Sequence, residues 1–257
     1  MRLYSVVLGL LIVLVVLGPL FVAADPMATS SANQFQPPGV DHILGTDLLG
    51  RDVFARFVYG GQRTLLTATV ATMLTLVIGI PMGLIAGSVS GWSNELVSGL
   101  LSAILSIPSL LLALVFITLT GPSLLSIVLA IGLAQIAPCA YAIRSAVQGV
   151  HQTLYVEAAC SMGGTYQHIL RTHILRGIQP TLLAYICVIF SYALLNGAAL
   201  SFLGLAGEPG VPDWGIMLAE GRSAFRFAPW ISIAPGLGIT LTVWAVNHLA
   251  DAITAYK

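Results

Sequence analysis

Six stretches of the chain are apolar for longer than a buried soluble helix requires: near residues 3–24, 64–87, 96–119, 123–143, 178–203 and 230–253. A helix rises about 1.5 Å per residue and the hydrocarbon core of a bilayer is roughly 30 Å thick, so about 20 such residues cross it. Each stretch predicts a membrane span, and an even number of spans places both termini on one side. The first stretch exceeds the roughly 7–15 apolar residues of a cleaved leader. Only Arg2 precedes it, so a retained span is expected, although FVAAD offers small residues at a cut.

The polar segments between the spans differ in kind. GWSNELVSG (91–99) and LTGPSL (119–124) read as short turns between neighbouring antiparallel helices, whereas 25–63, 144–177 and 204–229 are long enough to carry structure of their own. Segment 25–63 is broken by prolines and glycines and carries Asp25, Asp41, Asp47, Arg51, Asp52, Arg56 and Arg63, so it lies outside the hydrocarbon. A division follows: residues 1–63 as a first span and loop, 64–257 as a five-helix transmembrane unit. Glycine and proline inside the spans, as in GIPMG (79–83) and SIPS (106–109), either kink helices or let them pack closely through small residues.

Composition agrees with the pattern. Of 257 residues 57% are hydrophobic and only 8% charged, against roughly 25% charged in soluble domains. Ten basic residues balance ten acidic ones, which leaves no basic surface for nucleic acid. Five basic side chains fall on each side of the predicted topology, so the positive-inside rule does not orient it. Cys139, Cys160 and Cys187 are odd in number and widely spaced, and read as packing residues. The only lysine is Lys257, so a phosphate-cradling G-x-x-x-x-G-K-[ST] loop is impossible and any ATP must be hydrolysed by another chain.

No catalytic, cofactor or metal site is expected. His168 and His173 are five apart, which an α-helix does not place on one face. His248 and Asp251 share a face near the end of the last span and suggest a structural hydrogen bond. Thr67, Thr72, Gln135, Tyr192 and Asn196 are the polar groups the spans offer to a passing substrate, and such a path would not hold it tightly.

The segment TLYVEAACSMGGTYQHILRTHILRG (153–177) predicts a helix, a sharp bend and a second helix. Thr153 can cap the first helix, Gly163-Gly164 can supply the left-handed turn that ends it, and Thr165 can cap the second. Ala158, Ala159 and Ser161 leave little bulk, so another protein's backbone can approach while Glu157 fixes register. Spacing alone leaves open whether this is a docking knuckle or a plain surface turn.

Here the chain resembles a known family, the membrane permeases of ATP-binding-cassette importers, specifically the dipeptide, oligopeptide and nickel group. Its signature, Glu-Ala-Ala, three residues, Gly, then an Ile-Leu-Pro-like ending, is matched by Glu157-Ala158-Ala159, Gly163 and Ile174-Leu175, with Arg176 where the family has proline. HILGTDLLGRDVFARFVYGGQRTLL (42–66), with Gly45-Thr46-Asp47 and Gly50-Arg51-Asp52, resembles the group's entry to its second span. ALSFLGL (199–205) and DWGIMLAEGR (213–222), with Trp214, Gly215 and Arg222, resemble its last outer loop.

The resemblance implies an all-α membrane fold of six transmembrane helices, the type I importer permease fold (methionine-permease-like), with a cytoplasmic coupling helix. It implies an inner (plasma) membrane location with both termini cytoplasmic, and residues 144–177 seated on cytoplasmic ATPase subunits through Glu157, Ala158, Ala159, Gly163 and Gly164. The implied partners are two ATPase subunits, a homologous permease in a heterodimer, an extracytoplasmic binding protein facing residues 25–63 and 204–229, and the lipid bilayer. The implied cargo is a peptide, nickel or a metal chelate, moved by an alternating gate.

Overall fold

The computed structural model describes residues 3–22, 24–88, 92–205 and 210–255, without the side chains of 92–94 and 166. Arg2, Lys257, Gly91 of the expected turn and 206–209 of the last long loop lie outside the described residues. All secondary structure among the described residues is helical apart from an isolated bridge between Thr46 and Asp52.

Helix α1 (Leu3–Leu17) is a Leu/Val-rich run that ends in a 3-10 turn at Gly18–Leu20, where Pro19 lacks the amide hydrogen that a regular helical bond needs. Its only buried residue is Val15. At its far end the Tyr4 ring stacks on His248, which also meets Trp244 edge-on, with ring centroids 6.1 and 5.0 Å apart. His248 Nδ1 and Asp251 Oδ2 are 3.8 Å apart, too far for the expected hydrogen bond.

Helix α2 (Val53–Ser88) is 36 residues long and opens well before the apolar stretch at 64. Asp52 is its N-cap, the carboxylate accepting from the Ala55 amide at 2.7 Å. Gly79, Gly83 and Gly87 recur once per turn on α2 against Cys139, Ile143 and Val147 of α6. A Cβ at any of them would fall within 2.8 Å of that neighbour, so GIPMG is a packing surface that lets two backbones close together.

The expected third span is not straight. Helix α3 (Trp92–Leu105) covers most of the predicted 91–99 turn, and it meets α4 (Ser109–Thr120) at an 82° bend. Pro108 has no amide hydrogen and disfavours a helical conformation at Ile107, so the apolar run turns through nearly a right angle there. Helices α5 (Leu124–Ala134) and α6 (Ile136–His151) form one span of 28 residues, longer than the predicted 123–143. Ser123 starts it, its hydroxyl accepting from the Ser126 amide.

Short helices α7 (Leu154–Ser161) and α8 (Tyr166–Ile169) follow, then a π turn (Leu170–Ile174) that leads without interruption into α9 (Leu175–Phe202). Arg176 and Pro180 both lie within α9. Helix α10 (Trp214–Gly221) and helix α11 (Trp230–Thr254) complete the chain. Among the described residues five helices are long and apolar enough to cross a bilayer, or six if the bent α3/α4 pair counts as one span.

Three apolar clusters stabilise the described bundle. One lies toward the loop between α1 and α2 and joins Phe57, Leu200, Trp214 and Ile231; a second lies toward α7 and joins Ile143, Val147, Val156, Ile169 and Ile178; a small third joins Leu101 of α3 to Ala137 and Ala140 of α6.

Candidate functional site

Two regions at opposite ends of the bundle are built with more than packing requires. At the α7 end, Gly163 stands at φ +81°. Its amide donates to the Cys160 carbonyl and that of Gly164 to the Ala159 carbonyl, at 3.0 and 3.1 Å. That pair of bonds is a complete Schellman cap, which reverses the chain after one short helix. Thr153 precedes α7 in the N-cap position, but its hydroxyl donates back to the Val150 carbonyl instead of capping.

The knuckle presents a divided surface. Glu157, Ala158, Ser161 and Gly163 are exposed, as are Leu154 and Met162, each 82% accessible. Ala159 is 7% accessible and packs inward with Val156 and Ile169, so it supports the knuckle from behind and is not on the presented face. Gly164 is needed for the same reason: a Cβ there would stand 2.9 Å from the Ala159 carbonyl.

The π turn corrects the expectation for the two histidines. With five residues closing each turn, His168 and His173 come onto one side, ring centroids 6.1 Å apart, and Tyr155 lies 6.1 Å from His173. No group of three metal-ligating side chains occurs among the described residues.

At the opposite end the segment 45–52 folds into a tight loop. Gly45 and Gly50 both have φ near +70°, and a side chain on Gly50 would overlap the Ser30 carbonyl. Thr46 bonds to the Asn33 carbonyl through its hydroxyl, and its own carbonyl accepts from Trp230 Nε1 at 3.0 Å. Asp47 closes the turn by accepting from the amides of Leu49 and Arg51. Asp52 pairs with His42 at 2.8 Å while capping α2.

A charged cluster lies beneath this loop. Arg51 Nε donates to Asp47 at 2.6 Å; Arg51 and Arg56 each donate to Glu220 of α10 at 2.8 Å; Arg56 also stands 3.6 Å from Asp47. Asp47, Arg51 and Arg56 are nearly inaccessible, and two cations balance two carboxylates. Isolated buried charges would be costly, and this pairing offsets the cost while tying the first loop to α10.

Helix α10 is seated as firmly. Asp213 caps it, accepting from the amides of Gly215 and Ile216 and from the Thr64 hydroxyl. Burial pushes the Asp213 carboxyl pKa up, against these hydrogen bonds, which pull it down. Trp214 is fully buried, stacks on Phe57 and donates from Nε1 to its carbonyl at 2.9 Å. Gly215 lies against the Ala198 carbonyl of α9.

Of the loop residues singled out from sequence, Gly45, Thr46, Asp47, Gly50, Arg51, Asp52, Trp214 and Gly215 are thus brought to one end of the bundle. Arg222 is exposed, outside the cluster. Arg56 and Glu220 complete the cluster but were not singled out, because no local spacing announces a pair 164 positions apart. Asp213 before Trp214-Gly215 did carry a readable signal, an N-cap residue opening a helix.

This architecture, an all-helical membrane bundle with a capped knuckle at one end, defines a class of multi-span permease subunits. The chain belongs to the family of binding-protein-dependent transport system inner membrane components, whose pattern matches residues 79–256. It is 33% identical over 242 residues to the dipeptide transport system permease protein of Alkalihalophilus pseudofirmus, covering 94% of this chain and 80% of that one. To the glutathione transport system permease protein of Pectobacterium atrosepticum it is 32% identical over 249 residues, covering 95% and 83%. In fold it is similar to a chain of the MetNI methionine ABC transporter in an inward-facing conformation, with a TM-score of 0.65 at 19% identity over 77% of this chain and 96% of that one. The type I importer permease fold is therefore the fold of this protein.

Proposed function

We propose that this chain is one of two permease subunits through which an ATP-driven complex imports peptides. In this reading α7 and the turn after it seat on a cytoplasmic ATPase subunit and both termini are cytoplasmic. The segment 25–63 and the loop holding α10 then face an extracytoplasmic binding protein. The observation that carries the reading is the knuckle, where a Schellman cap at Gly163-Gly164 presents Glu157 and Ala158 on a short, firmly backed helix. The peptide cargo rests on the relatives above, which are named for a dipeptide and for glutathione, itself a tripeptide.

ATP-bound closure of the paired ATPases would move the knuckles toward each other. Because α8, the π turn and α9 form one continuous rod, such a push reaches the far end of the membrane directly. Affinity resides in the binding protein, and this chain supplies half of an alternating path.

The test is reconstitution in proteoliposomes with a partner permease, the ATPase subunits and the binding protein. Uptake of labelled alanyl-alanine should require ATP, and Glu157→Ala should abolish uptake while the chain remains inserted. Uptake without ATP, or tight binding of the dipeptide to this chain alone, would overturn the reading. Uptake of nickel or a metal chelate in place of the dipeptide would keep the complex and change the cargo.

A further inference from the structure

Helix α1 is tied to the bundle at two points and stands off it between them. Toward its C-terminal end Gln62 of α2 donates to the Val15 carbonyl at 3.0 Å. Gly18 and Gly61 make that crossing close, since a Cβ on either would come within 2.9 Å of Val58 or Val15. Toward its N-terminal end the Tyr4 ring lies on His248 of α11. The two ties go to different helices, so α1 crosses the gap between α2 and α11 as a strap.

Under the strap is a cleft of about 780 Å³. Leu8 and Ile12 of α1 line one side, Met73 of α2 and Val246 of α11 flank it, and Cys187 and Phe190 of α9 form its floor. Leu66 and Met73 line the cleft and are about 60% accessible, so it opens sideways between α1 and α2. All four helices are long and apolar enough to cross a bilayer, and that opening lies within their apolar lengths.

The lining asks nothing polar of an occupant. No charged side chain borders the cleft among the described residues. The Gln62 amide is spent on Val15, and the hydroxyls of Thr69, Thr72 and Thr242 donate to carbonyls of their own helices. An apolar cavity with its few hydrogen-bonding groups already satisfied does not hold water.

Size then selects among apolar occupants. Along α2 the cleft runs from Gln62 to Leu76, about 21 Å, or some two-thirds of the roughly 30 Å hydrocarbon core. One lipid tail covers a single leaflet, about half of that core, and fits lengthwise. A helix about 10 Å across needs roughly 1,600 Å³ over the same length, about twice what the cleft holds. The ties at both ends of α1 also bar a helix from sliding beneath it.

We propose that the cleft under α1 binds one acyl chain of a membrane phospholipid, admitted sideways past Leu66 and Met73. The chain supplies the apolar contact with Cys187 and Phe190 that α1 leaves open, so the first span is held to the bundle partly through lipid. This needs only that the helices span a bilayer, and it stands apart from the import reading.

The experiment uses the permease assembled with its partner subunits in nanodiscs of phosphatidylethanolamine and phosphatidylglycerol. These are doped with a phosphatidylcholine that carries a diazirine in its acyl chain. After illumination, mass spectrometry maps the adducts. Phe190, half-buried at the cleft floor, should be labelled at least as strongly as Leu111 and Val115, which are fully open on α4. Thr69→Phe and Cys187→Phe each put a ring into the cleft from a different helix. Both should cut labelling of Phe190 several-fold and leave Leu111 and Val115 unchanged.

Absence of Phe190 adducts in the wild type, or equal labelling of Phe190 in both variants, would overturn the proposal. A benzophenone attached to Cys187 that joins the partner permease instead of lipid would also overturn it, in favour of a contact between subunits. Loss of ATP-driven dipeptide uptake with Phe190 labelled as expected would remove the import reading and leave the lipid site standing.

Discussion

Arg56 and Glu220 lie 164 positions apart in the chain and meet at 2.8 Å, joining the first turn of α2 to α10. Arg51 donates to the same carboxylate oxygen, and Asp47 supplies the second negative charge. A loop, a span and a surface helix thereby move as one body at that end of the bundle.

This pairing predicts a marked asymmetry between single and double substitutions. Removing one partner of a fully buried pair costs about 3–5 kcal/mol because the other charge is left uncompensated, and less here because Glu220 stays 24% accessible, whereas replacing both with apolar residues is often close to neutral. Arg56→Met and Glu220→Met should each lower the Tm in detergent sharply. The double variant should recover most of that loss, short of full recovery because Arg51 also needs Glu220. Additive losses in a double-mutant cycle would show that the pair is not coupled.

Gly163 and Gly164 should fail for different reasons when substituted. Gly163 has open space around it but a left-handed backbone, which costs an L-residue on the order of 1 kcal/mol, and least for asparagine. Gly163→Asn should therefore keep more ATP-coupled uptake than Gly163→Val. Gly164→Ala meets a backbone carbonyl that cannot move aside without undoing the cap. Uptake and ATPase rate measured together should show Gly164→Ala more damaging than Gly163→Asn.

The spans were legible because length and hydropathy are local, and Gly163 was legible because a left-handed cap demands little beyond its own residue. What escaped depends on distant partners. The start of α2 was hidden because its first turns carry Arg56 and Arg63, and Arg56 becomes acceptable there only when Glu220 arrives from α10. Pro108 was visible as a kink, but not the 82° bend that splits the third span. The two histidines were misjudged because the spacing rule assumed an α-helix, while the chain inserts a π turn. Ala158 and Ala159 look alike in sequence, and only the packing of Ile169 tells their faces apart.

Asp213 gives a pH dependence of definite sign. Its carboxyl pKa is raised in the folded state by burial, so the folded protein binds this proton more tightly than the unfolded chain does. Stability from this group is therefore present at low pH and falls as pH rises from about 4 through the raised value, then stays level. Asp213→Asn keeps an acceptor for the Gly215 amide and has no charge to desolvate. The Tm of Asp213→Asn relative to wild type should increase over that pH window and plateau above it. Asp213→Ala should be less stable than Asp213→Asn by on the order of 1 kcal/mol for the lost cap.

The two adjacent alanines of α7 separate folding from docking. Ala158 is exposed on the face that the import reading seats against an ATPase, and Ala159 is buried against Val156 and Ile169. A leucine at 159 must be forced into a filled site, which costs about 1–3 kcal/mol in strained packing. A leucine at 158 meets only solvent in the isolated chain. Ala159→Leu should therefore lower the Tm of the purified permease and lose uptake as a consequence. Ala158→Leu should leave the Tm unchanged yet weaken capture of the ATPase subunit, measured by co-purification from mixed detergent micelles, and reduce ATP-coupled uptake. If Ala158→Leu binds the ATPase normally, the exposed face of α7 is not the docking surface, however well the knuckle itself is built.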